Sequence, residues 1–120
     1  MGMQRYELDA WLGDDHGLAD DQVDELLTEA DDINDRHGDD QDAAREALTA
    51  AYRLMREDAD NVIADLAQRR AAARAAELDA LAGLQQVAIT LIASGDATES
   101  GFARQAGVDR MTVRKWLGKN

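Results

Sequence analysis

Ser100-Gly101-Phe102-Ala103-Arg104-Gln105-Ala106-Gly107-Val108-Asp109-Arg110-Met111-Thr112-Val113-Arg114-Lys115-Trp116-Leu117 is the most constrained stretch of this 120-residue chain. Ala103 falls where a first helix touches a second, a place for a small side chain. Gly107 comes four residues later, where the chain leaves that helix and needs a positive φ. Val108 can plug the gap between the two helices, and Asp109 can cap the second. Val113, Trp116 and Leu117 then recur at i, i+3 and i+4 and turn inward. With Phe102 they complete a small apolar core. Arg110, Met111, Thr112, Arg114 and Lys115 are left on the outward side. Two helices joined by a tight glycine turn, the second with a basic outer face, form the arrangement that reads DNA in helix-turn-helix proteins.

The pattern Ala103-x-x-x-Gly107-Val108-x-x-x-x-Val113-x-x-Trp116 resembles the helix-turn-helix of bacterial repressors. The ending Thr112-Val113-Arg114-Lys115-Trp116-Leu117 is also similar to transposase and resolvase types. The resemblance covers the last forty residues. It implies that Arg110, Met111, Arg114 and Lys115 face base edges and that Thr112 and Lys119 touch phosphates, with Arg104 on the same DNA-binding surface. Trp116 is bulkier than the aliphatic residue usual at its place.

Upstream, Leu81, Leu84, Ala88, Leu91 and Ile92 give one helical apolar face that stops at Ser94-Gly95-Asp96. Residues 41–93 read as a single long helical zone, continuous or broken near Asp58-Ala59-Asp60-Asn61, where Asp60 could cap a new start. The continuous form is the expectation. Within the zone Leu48, Tyr52, Met55, Ala59, Val62 and Leu66 step by 4, 3, 4, 3 and 4. That is a heptad-like seam, and it is the expected dimer interface. The same residues could instead be a core stripe against the preceding helix. Beyond Leu66 the seam weakens into Arg69, Ala73, Ala76 and Ala80. The Ala/Arg run there favours helix but offers a partner little grip.

The N-terminal part holds two shorter helices. Tyr6, Leu8, Trp11 and Leu12 form the first, stopped near Gly13. Asp20 or Asp21 can cap the second, whose apolar residues Val23, Leu26, Leu27, Ala30 and Ile33 share one face, and Gly38 ends it. No stretch alternates apolar and polar residues long enough to predict a strand. The expected fold is therefore all-α: short N-terminal helices, one long helix with a heptad-like seam, and a C-terminal helix-turn-helix. Three regions follow: 1–40 acidic, 41–80 the long helix, and 81–120 the DNA-binding region.

Charge separates along the same line. The net charge is −12, yet residues 1–68 hold 20 Asp/Glu against 5 Lys/Arg, a balance of −15, and residues 69–120 hold 5 against 8, a balance of +3. Nucleic acid responds to the local field rather than to the total. Eighteen Asp against seven Glu and 23 Ala point to a GC-rich genome or to salt adaptation, and so to the host rather than to mechanism.

Other chemistries find little support in the residues. The chain has no cysteine and no proline, so disulfides and thiolate metal sites are excluded. Two histidines, His16 and His37, cannot build a zinc cage without thiolates. The carboxylates around Asp31, Asp32, Asp35, Asp39 and Asp40 fail the calcium-loop pattern, because counting back from Gly38 places Ile33 at the first ligand position. There is no phosphate-cradling glycine loop and no nucleophile–base set. The apolar run from Val87 to Ala93 is too short to span a bilayer. No catalytic residue, metal or cofactor is expected.

The expected function is a small sequence-specific DNA-binding protein, a dimeric transcriptional regulator of a prokaryotic cytoplasm that uses residues 109–117 in the major groove of double-stranded DNA. A protein partner could meet its acidic region. Two alternatives are an accessory DNA-binding factor of a phage or plasmid, and an acidic protein-interaction adaptor without DNA binding.

Overall fold

The computed structural model describes residues 2–119. Six helices follow one another: α1 (Arg5–Leu12), α2 (Asp20–His37), α3 (Gln41–Arg56), α4 (Ala59–Ala93), α5 (Glu99–Ala106) and α6 (Arg110–Trp116). Among the described residues there is no strand. The protein is all-α. It divides into two compact units, Met1–Ala67 and Gln68–Asn120. The division falls where the charge balance changes sign, so an acidic unit is followed by a basic one. α3 belongs to the core of the first unit.

In the N-terminal unit the spacing of α2 decides the packing. Val23, Leu26, Ala30 and Ile33 lie on one face and are buried, Leu26 fully. Leu8 of α1 and Leu48 of α3 close on them, and Trp11, Tyr52 and Met55 pack at the edge. The ring of Trp11 meets that of Tyr52 edge-on, with centroids 6.2 Å apart. Ala19, rather than Asp20 or Asp21, occupies the N-cap position of α2, and its N–H donates to the Gln22 side chain at 2.9 Å. The two aspartates sit in the first turn, where negative charge suits the exposed N–H groups. The 13–19 turn is tied to α3 from outside the core. The carbonyl of His16 accepts from Tyr52 Oη at 2.7 Å and from Arg56 Nη1 at 2.6 Å.

The long helical zone is broken, contrary to the continuous helix expected. α3 ends at Arg56, Glu57 adopts an extended conformation, and α4 begins at Ala59. The new start lies one residue before Asp60. The carbonyl of Asp58 takes the first helical bonds, from Asn61 and Val62. Arg53 clasps both sides of the break, reaching Glu57 at 2.8 Å and Asp65 at 2.6 Å. Its guanidinium holds the Glu57 carboxyl below the usual carboxylate range.

The break also changes the seam. Leu48, Tyr52 and Met55 face the N-terminal core, so on α3 the spacing is the stripe that α2 covers. On α4, Ala59 is exposed, Val62 is buried and Leu66 is half-buried. The six residues do not form one continuous interface on one helix, because the chain turns between Met55 and Ala59.

In the C-terminal unit, Ala88 of α4 is fully buried with Phe102 and Ala103 of α5 and Val113 of α6. Leu84, Ile92, Ala97, Val108, Trp116 and Leu117 pack around them. The last turns of α4 therefore form one wall of a three-helix core. By length and composition alone α4 is also long and apolar enough to cross a membrane. The sequence expectation considered only the run from Val87. As a helix, however, the segment carries just Glu77 and Asp79 as charges between Ala75 and Ala93.

Candidate nucleic-acid interface

The geometry of α5, its turn and α6 follows from a few local devices. Thr98 caps α5, its hydroxyl accepting from the Gly101 N–H at 3.0 Å. Gly107 ends α5 in the left-handed conformation, φ 72° and ψ 28°, where a Cβ would be strained. The Val108 N–H returns to the Ala103 carbonyl at 3.1 Å, closing the turn. Asp109 caps α6 by accepting from the Met111 N–H at 2.6 Å. Val113 then points inward with no exposure.

With Val113 fixed inward, the helical repeat of about 100° per residue sends Met111 and Lys115 to the opposite side. Met111 is 50% exposed. Arg110 and Lys115 are exposed, Thr112 is half-buried, and Arg104 is exposed on the last turn of α5. Met111 and Lys115 thus share the outer side of α6, Arg110 is exposed in its first turn, and Arg104 is exposed on α5. A bare methionine among cations is an apolar contact of the kind that thymine methyl groups and sugar edges accept.

Arg114 is placed differently from the base-facing position the resemblance implies. Its Nη1 donates to Glu99 Oε1 at 3.0 Å, and Lys119 Nζ donates to Glu99 Oε2 at 3.3 Å. Glu99 is only 13% exposed at its side chain. One carboxylate at the start of α5 therefore holds two cations from α6 and the segment behind it. Sequence reading did not find Glu99. It stands 15 and 20 residues from its partners, outside any helical periodicity, and only the folded turn brings them together.

Burial pushes the Glu99 carboxyl up, but the bond to Lys119 and the charges of Lys119 and Arg114 outweigh it, so the group lies below its ordinary value. A carboxyl lowered in the folded state adds stability above its unfolded pKa of about 4.3 and loses it as pH falls through the folded value. Acid titration of the C-terminal unit, followed by tryptophan fluorescence of a Trp11→Phe variant that leaves Trp116 as the reporter, is expected to show a loss of stability below about pH 4.3. Glu99→Gln should remove that acid-sensitive component while leaving the neutral-pH fold in place. An unchanged acid profile in Glu99→Gln would show that the clasp contributes nothing.

Among the described residues no group of His, Asp or Glu is arranged to hold a metal ion. No protein-family model matches the chain, and neither a curated protein nor a solved structure is similar to it.

Proposed function

We propose that the protein is a small sequence-specific DNA-binding protein, a dimeric transcriptional regulator of the prokaryotic cytoplasm that places α6 in the major groove. The observation that carries this reading is the division of α6. Val113 is fully buried in a three-helix core, Met111 and Lys115 are exposed on the opposite side of α6, and Arg110 is exposed in its first turn, behind a left-handed glycine turn. Arg110 and Lys115 are the bases' first partners in this reading, Met111 their apolar contact, and Arg104 and Thr112 backbone contacts. Arg114 and Lys119, shared with Glu99, position α6 and supply charge at its edge. An accessory DNA-binding role on a phage or plasmid uses the same surface, and the identity of the bound site separates it from gene regulation. The acidic adaptor reading is favoured by one feature, the −15 balance of the N-terminal unit, and it requires no DNA binding at all.

Selection from a random duplex library with the full chain tests the proposal. A defined motif should emerge, with affinity that falls as salt rises because bound cations release counterions. In that background Arg110→Ala should lose discrimination at one base pair by about 1–3 kcal/mol, roughly 5- to 150-fold. Equal weakening on every sequence would reassign Arg110 to a phosphate. Absence of salt-sensitive binding to any duplex would reject the reading in favour of the adaptor.

A further inference from the structure

The heptad seam read from sequence is largely used up by the N-terminal core, yet α4 carries a second one that is exposed from Ala71 to Gln85 and meets the C-terminal core only at its end, through Ile92. Ala71, Ala75, Leu78, Ala82, Gln85, Ile89 and Ile92 step by 4, 3, 4, 3, 4 and 3, all within the C-terminal unit. The large residues mark it as an apolar face. Leu78 is 52% exposed, and Ile89 and Ile92 are half-buried. At its C-terminal end the face runs into a mostly apolar groove lined by Ile89, Ile92, Ala93, Trp116, Leu117 and Lys119. By helical phase it lies beside the face of α4 that carries Ala88, so α5 and α6 flank it rather than cover it.

Charge identifies the occupant. In heptad terms Leu78 is a d position and Ala75 an a position. Arg74, just before Ala75, is then a g position, and Asp79, just after Leu78, is an e position. In two parallel helices each g residue faces the e residue five places on in the partner, and opposite charges there set orientation and partner choice. Arg74 and Asp79 meet this condition with a second copy of the same chain, twice across a two-fold axis. Both are exposed, and neither is engaged by an ion pair among the described residues. Gln85 is the one polar residue in the seam. A single amide there can bond its own copy when two chains are parallel and in register.

We infer that a second copy of this chain docks along α4 in parallel and in register, with Arg74 facing the partner's Asp79 at either side of the Leu78 layer. This deepens the proposed function by locating the interface that joins two reading helices. Two-fold pairing also suits paired half-sites on DNA.

The chain contains no cysteine, so single cysteines report the register cleanly. Full-length Leu78→Cys should cross-link to itself under mild oxidation, since facing d residues of parallel helices can approach the 5.5–6 Å or so between Cα atoms that a disulfide needs. Ala80→Cys, on the far side of α4, should not. Arg74→Glu and Asp79→Arg should each raise the dimer dissociation constant about tenfold or more in sedimentation, and their equimolar mixture should pair again. Because both positions are exposed, circular dichroism of each variant should match the parent. A protein that sediments as a dimer but whose Leu78→Cys variant does not cross-link to itself overturns the register. A monomer at about 100 μM, with no cross-link at Leu78, overturns the interface. Salt-sensitive DNA binding by such a monomer would leave the proposed function standing. A cross-linked dimer that binds no DNA would remove that function and leave the interface.

Discussion

Val113→Asp is expected to unfold the C-terminal unit and abolish DNA binding, while α1 to α3 stay folded. Val113 has no exposure and sits against Ala88, Phe102 and Ala103. A carboxylate there has no counter-charge inside the core, and burying it unpaired costs several kcal/mol or forces the group to protonate. A core this small has little stability to set against that loss. The N-terminal core shares no buried residue with it. Helix content should therefore fall only in part, and Trp116 fluorescence should change while Trp11 fluorescence holds. Arg110→Ala provides the contrast, since an exposed substitution should alter DNA reading without changing either signal. Full retention of DNA binding by Val113→Asp would mean that α6 is not the reading element.

The chain's helices were legible where the signal is local. The 3-1-3-3 spacing of Val23, Leu26, Leu27, Ala30 and Ile33 fixes a face, and Gly38 fixes its end. Gly107 and Asp109 mark the turn and cap between α5 and α6 because a left-handed residue and a side-chain acceptor are required at those points. The break at Glu57 was legible only as the less favoured alternative, near Asp58-Ala59-Asp60-Asn61. Neither Glu57 nor Asp58 is a breaker by composition, and the clasp of Arg53 on Glu57 and Asp65 spans 12 residues. The heptad spacing of Leu48 to Leu66 shows the same limit in another form. Periodicity reveals that a helix has an apolar face and says nothing about which surface covers it. On α3 the cover is α2. The Glu99 clasp was hidden for a similar reason, and it engages Arg114 with a carboxylate from α5.

Leu26→Ala is expected to destabilise the N-terminal unit by about 2–5 kcal/mol, the range for removing a fully buried leucine from a packed core. Leu26 has no exposure and is buried in the same core as Leu8 and Leu48. Chemical denaturation followed through Trp11, whose ring rests on Tyr52, should show the earlier midpoint. The same packing decides how the acidic region must be tested. Deleting residues 1–40 removes α1 and α2 together, stripping Leu48, Tyr52 and Met55 of their cover and leaving an apolar face on α3. That truncation is expected to aggregate. Neutralising exposed charge keeps the fold, because Asp32 and Asp35 of α2 are exposed and make no ion pair among the described residues. If the acidic unit opposes loose attachment to DNA, Asp32→Asn with Asp35→Asn should tighten binding to random duplex at low salt and change specific binding less. The difference should fade as the Debye length shortens below about 10 Å above 0.1 M salt. An unchanged ratio of specific to random affinity across the salt series would assign the acidic surface to a protein partner or to solubility.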